Sequence, residues 1–177
     1  MTMRAPARAG AIAAFSLSVG LTAWAFGTDP AAAGHRITNG APMTKQATGT
    51  FDVKVVPQPH DAAVGDATIG RMALDKQFHG DLQGTSKGQM LAAGTDVKGS
   101  AGYVALERVN ATLNGRTGTF ALQHSGTMTR GEPALSITVV PDSATGQLAG
   151  LSGRMNIEIA GGEHSYTLEY AFADAAR

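Results

Sequence analysis

The sequence contains no cysteine. That excludes disulfides and thiolate metal sites, but it does not exclude export, because an oxidising compartment permits disulfides without requiring them. Neither sign of charge is in excess. Fourteen basic residues balance fourteen acidic ones, so the basic surface that engages nucleic-acid phosphates is not expected. After residue 40 no window carries the 3.6-residue period of a long amphipathic helix. Nucleotide fingerprints are missing as well, since Gly146, Gly150 and Gly153 precede a strand pattern and not a strand-to-helix turn. Ser100, Ser125 and Ser165 lack a nucleophile-elbow context. No two histidines share a local ligand spacing, so neither a metal nor another cofactor is expected.

What is abundant is glycine, 23 residues of 177, placed between short apolar runs. That pattern fits tight turns and strand bends. The first 33 residues differ from the rest. Arg4 and Arg8 give a positive start, and an uncharged small and apolar stretch runs from Ala9 to Phe26. Ala23-Trp24-Ala25 and Ala31-Ala32-Ala33 offer the small residues that a signal peptidase requires. Residues 1–33 are therefore expected to be a signal peptide, cut after Ala25 or Ala33, with an uncleaved anchor as the alternative. The mature protein is expected in the periplasm or outside the cell, free of the membrane. Residues 34–46 read as a flexible leader and 47–177 as the folded domain.

From Ala47 onward the hydrophobic period is two. Phe51, Val53 and Val55 alternate with Asp52 and Lys54, and Met72, Leu74 and Phe78 share a parity. Eight such runs, separated by Gly, Pro, Asp or Asn, predict an all-β, closed eight-stranded antiparallel barrel, an arrangement without exposed edges. Asn114-Gly115 and Gly161-Gly162 mark two-residue hairpins. The first pairs Glu107 with Leu122, and the second pairs Met155 with Leu168. In both, the apolar residues fall on one face, and a one-residue slip would reverse it.

The run "DSATGQLAGLSGRMNIEI" adds a likeness. Its T-G-x-L-x-G-L-x-G pattern leading into an alternating strand resembles the barrel proteins related to allene oxide cyclases and dirigent proteins. "FHGDLQGTSKGQML", "YVALERVNATLNGRTGTFALQHSG" and "HSYTLEY" extend the resemblance over about residues 47–172. The nearest likeness is to an uncharacterised bacterial family with an allene-oxide-cyclase-like barrel. The resemblance implies that barrel and an internal cavity for an apolar molecule. It also implies homo-oligomers, since many of the plant relatives are trimers. The catalytic residues of the cyclases have no residue-by-residue counterpart here, so the reaction does not carry over.

Glu107 is the most informative residue. The register turns it inward between Ala105 and Val109, where a carboxylate needs a partner. His124 lies diagonally across the strand pair, and Lys76 shares parity with Leu74 and Phe78. Glu107 and His124 are the candidate acid/base pair, with a purely structural ion pair as the plainer reading. Tyr103, His124 and His164 are expected to line one mouth, with Glu107 deeper. Lys76, Tyr166, Tyr170 and Phe120 complete the candidate ligand lining, although inward aromatics are more often core. Three functions follow: a barrel that binds a small apolar molecule, an isomerase or cyclase using Glu107 and His124, and a filled barrel acting through its surface. The first is preferred because the resemblance implies a cavity while no reaction motif is complete.

Overall fold

The computed structural model describes residues 43–59, 65–66 and 68–173. Eight strands follow in chain order: β1 (Lys45–Pro57), β2 (Ile69–Gly80), β3 (Leu82–Gly94), β4 (Ala101–Leu113), β5 (Arg116–Thr129), β6 (Glu132–Val139), β7 (Leu151–Ala160) and β8 (Glu163–Phe172). Each pairs antiparallel with the next, and β1 pairs with β8 to close the barrel. The expected signal segment and residues 34–42 of the leader lie outside the described residues. β1 opens at Lys45, which pairs with Tyr170, so the strand begins two residues inside the segment read as leader.

The two hairpins form as their sequences predict. Asn114 and Gly115 have φ of 46° and 81°, and Gly161 and Gly162 have φ of 59° and 87°. Positive φ at both central residues matches the twist of the flanking strands. The registers place Glu107 opposite Leu122 and Met155 opposite Leu168.

The lower end of the barrel carries the β2–β3 and β4–β5 turns, and it is filled. Leu82, Leu113, Phe120, Phe78 and Leu168 are fully buried there. Tyr166 closes the same end: its hydroxyl accepts from the Leu82 amide at 2.9 Å and donates to the His79 carbonyl at 3.1 Å. Leu148, on a 3-10 turn (Gly146–Leu148), adds a buried side chain to this core.

Two irregularities shape the wall. β6 covers only the upper part of β5, from Leu122 to Thr129. Below it the β6–β7 connection runs alongside β5 and supplies acceptors from side chains. Ala121 N–H donates to Ser143 Oγ (3.0 Å), Thr119 N–H to Thr145 Oγ1 (3.3 Å) and Thr117 N–H to Gln147 Oε1 (2.9 Å). In the other direction the Val140 N–H donates to the Ala121 carbonyl (2.9 Å) and the Thr145 N–H to the Thr119 carbonyl (2.8 Å). The other irregularity is the seam between β6 and β7, which holds two residue pairs, Ile137–Met155 and Thr138–Arg154. Above them the two strands are unpaired. Pro133, in that stretch, has no N–H to donate.

Candidate functional site

Four neighbouring strands bring a polar cluster to the middle of the barrel. Lys76 on β2 faces Ser86 on β3, Glu107 on β4 stands opposite Gly88, and His124 on β5 stands opposite Ala105. All four side chains are buried. Glu107 Oε1 accepts from Lys76 Nζ at 2.8 Å and from His124 Nε2 at 2.9 Å, while Oε2 accepts from Ser86 Oγ at 2.6 Å. A carboxylate can only accept, so His124 carries its proton on Nε2. Gly88 makes the arrangement possible, because a Cβ there would lie 2.6 Å from Glu107 Cβ and closer still to the Leu106 carbonyl.

Burial alone would raise the Glu107 pKa. The hydrogen bonds of His124, Lys76 and Ser86 and the charge of Lys76 outweigh it and hold the group at about 2. Burial, and then the charge of Glu107, push the Tyr103 phenol above its usual value. Lys76 Nζ also lies 4.9 Å from the centroid of the Phe51 ring and 5.8 Å from that of Phe78, within cation–π range.

Above the cluster the interior is open. Val55, Met128, Leu135 and Ile159 all have the inward parity, yet they are 47%, 43%, 44% and 67% exposed. Met72, Met90, Tyr103 and Ile157, one step lower, are partly buried. These inward apolar residues stay accessible at the upper end of the barrel, and the region they border above the Glu107 cluster is termed the cup. The Tyr103 ring lies against Gly126, where a Cβ would collide with it. Among the described residues its hydroxyl makes no hydrogen bond.

The structure separates the expected lining residues. Lys76, Glu107 and His124 come together, and Tyr103 lies above them. His164 reaches the cluster only through Phe51, on which it packs at 5.1 Å between ring centroids and which lies in turn against Lys76; across β7–β8 its partner is Ile159 at the upper end. Tyr166, Tyr170 and Phe120 belong to the packed lower end and do not line the cup. Tyr166 is held by Leu82 and His79, and Tyr170 accepts from Asn114 Nδ2 at 3.0 Å. Ser86 was not among the expected residues. Its signal was its spacing of four from both Leu82 and Met90, which gives it their inward parity.

A cavity of about 780 Å3 lies elsewhere, on the outer wall. Its strand lining is mainly Gln89, Leu91, Val104, Leu106 and Gln123, all of outward parity, so Ala105 and His124 border it only through the main chain. Among the described residues no three His, Asp or Glu side chains converge as metal ligands.

The family described as "Protein of unknown function (DUF3224)" has a profile that matches residues 47–170. The chain belongs to the DUF3224 family. A solved DUF3224-family protein with unknown function from Shewanella oneidensis MR-1 is 48% identical to this DUF3224 chain. The match covers 75% of this chain and all of that one, with a TM-score of 0.68. No curated protein matches. The matched span takes in the whole Glu107 cluster and all of the strands except the first two residues of β1 and the last two of β8.

Proposed function

We propose that this DUF3224 barrel binds a small, largely apolar molecule in its upper half, with the Glu107 cluster as a polar handle. The observation that carries the reading is the wet inward face: Val55, Met128, Leu135 and Ile159 have the inward parity and yet remain exposed. Apolar surface left exposed in a concave site is the usual setting for an apolar ligand. The likeness of the chain to allene-oxide-cyclase and dirigent barrels agrees with this reading. An N-terminal export segment, removed at Ala25 or Ala33, and a homo-oligomeric state belong to the same proposal.

Binding is favoured over isomerase or cyclase chemistry by the state of Glu107. A general base works best with a pKa near the operating pH. Glu107, at about 2, is a weak base held in place by three donors. Such a group orients and polarises and does not readily take a proton.

N-phenyl-1-naphthylamine, an uncharged dye that fluoresces on leaving water, tests the reading. The protein should bind it saturably at one site. Leu135→Arg, at the mouth of the cup, should abolish the signal, and Leu106→Arg on the outer wall should leave it unchanged. The opposite pattern would move the site to the outer cavity and end this reading.

A further inference from the structure

We propose that the unpaired upper part of the β6–β7 seam is a slit through which the tail of a bound ligand leaves the cup, so that the ligand is chain-like, with one uncharged oxygen acceptor at its head. This deepens the binding reading above and rests on it.

The slit follows from register. Continuing the pairing of Ile137 with Met155 upward would set Ser136 against Asn156 and Leu135 against Ile157. These pairs do not form, although both strands continue, β6 back to Glu132 and β7 on to Ala160. The unpaired stretch therefore lies within the length of both strands. Its inner border is apolar: Leu135 and Ile159 are exposed and Ile157 is partly buried, all facing inward. An aqueous slot would gain nothing from such a border, whereas a methylene chain would bury it.

The two ends of the ligand follow from position. Lys76 Nζ carries three N–H groups, and among the described residues one of them is bonded, to Glu107. Tyr103 offers a further donor above it. Gly126, against which the Tyr103 ring rests, is the cross-strand partner of Leu135. Donors at the floor and an apolar slit thus lie on one path, along Tyr103, Gly126 and Leu135. Charge selects the head. The Lys76 ammonium and the Glu107 carboxylate already neutralise one another at 2.8 Å. A ligand carboxylate would bring a second negative charge beside Glu107 with no further cation of the cluster, among the described residues, to meet it. A ketone, ester or alcohol oxygen adds no charge.

The chain has no native cysteine, so Ser136→Cys with Asn156→Cys permits one disulfide. Both positions face outward, and oxidation closes the slit without altering the cup lining. Displacement of N-phenyl-1-naphthylamine is then measured with 2-undecanone, a chain ketone, and 1-tetralone, a compact one. Oxidation should raise the 2-undecanone concentration required by about tenfold, the worth of roughly two buried methylenes. It should leave 1-tetralone within about twofold, and dithiothreitol should reverse the change. Decanoate should displace less well than 2-undecanone. Equal shifts for the two ketones, or no shift for either, would overturn the slit, and tighter binding of decanoate would overturn the uncharged head. A dye that fails to bind the unmodified protein would instead remove the binding reading itself.

Discussion

The ring of Tyr103 occupies the space that a side chain at position 126 would need. The two residues are cross-strand partners on β4 and β5, and the contact is between an aromatic face and bare main chain. Gly126 has no positive φ that would require glycine. Its role is room.

Gly126→Ala should therefore displace Tyr103 into the cup. The expected loss of stability is about 1–3 kcal/mol, the range for an overpacked site. Tyr103→Leu should be mild alone and should recover much of the loss when combined with Gly126→Ala. Urea melts of the two single variants and the double variant measure the coupling, and simple additivity would show that the residues do not share the space.

Acid should destabilise the barrel in a defined window. Glu107 has a folded pKa of about 2 against an ordinary value of 4.5. A depressed carboxylate contributes stability above its unfolded pKa and loses it as pH falls through the folded one. The contribution should be full at pH 5 and gone near pH 2, amounting to about 3 kcal/mol. Glu107→Gln should lack this component, which denaturant titrations at several pH values would reveal as a flatter profile than that of the unmodified protein.

Lys76→Met leaves the Glu107 carboxylate buried with His124 and Ser86 but without its cation. The change should destabilise by about 3 kcal/mol, as for a broken buried pair. Adding Glu107→Gln removes the stranded charge and should restore part of the loss. Thermal melts compare the variants; a double variant no better than Lys76→Met would mean that the lysine matters through packing on Phe51 and Phe78 and not through charge.

Ser143→Ala should free the Ala121 amide on β5 while leaving the strand registers in place. The expected cost is about 1 kcal/mol for a partly buried donor without an acceptor. Hydrogen exchange should speed up at Ala121 and stay unchanged at Leu113 across the hairpin. Uniform acceleration along β5 would instead indicate loss of the whole strand edge.

Much of this architecture was legible from period and turns. The alternation from Phe51 onward and the Asn-Gly and Gly-Gly hairpins determine which residues face inward, and Glu107, His124 and Lys76 follow from that alone. Depth was not legible. Parity says in or out, but the stagger of the strands decides whether an inward residue meets other side chains or water. Tyr166, Tyr170 and Phe120 share the inward face with Leu135, yet they lie in the packed half. His164 is likewise set off from the cluster by depth: Phe51, brought beside it by the β1–β8 pairing, packs against both it and Lys76. The seam left no local mark beyond Pro133, because failure of two distant strands to pair depends on the curvature of the whole wall.

The segment from Ser143 to Gln147 has a consequence for how this fold tolerates sequence change. Where neighbouring strands are paired, they are joined by main-chain groups, which every residue except proline possesses in full. Along the lower half of β5 the Ala121 and Thr119 carbonyls accept from the Val140 and Thr145 main-chain N–H groups, but the N–H groups of Ala121, Thr119 and Thr117 find a hydroxyl, a second hydroxyl and an amide. Single substitutions there can leave β5 N–H groups without acceptors, so in this short stretch part of the wall's cohesion is written in side-chain identity and is open to mutational drift.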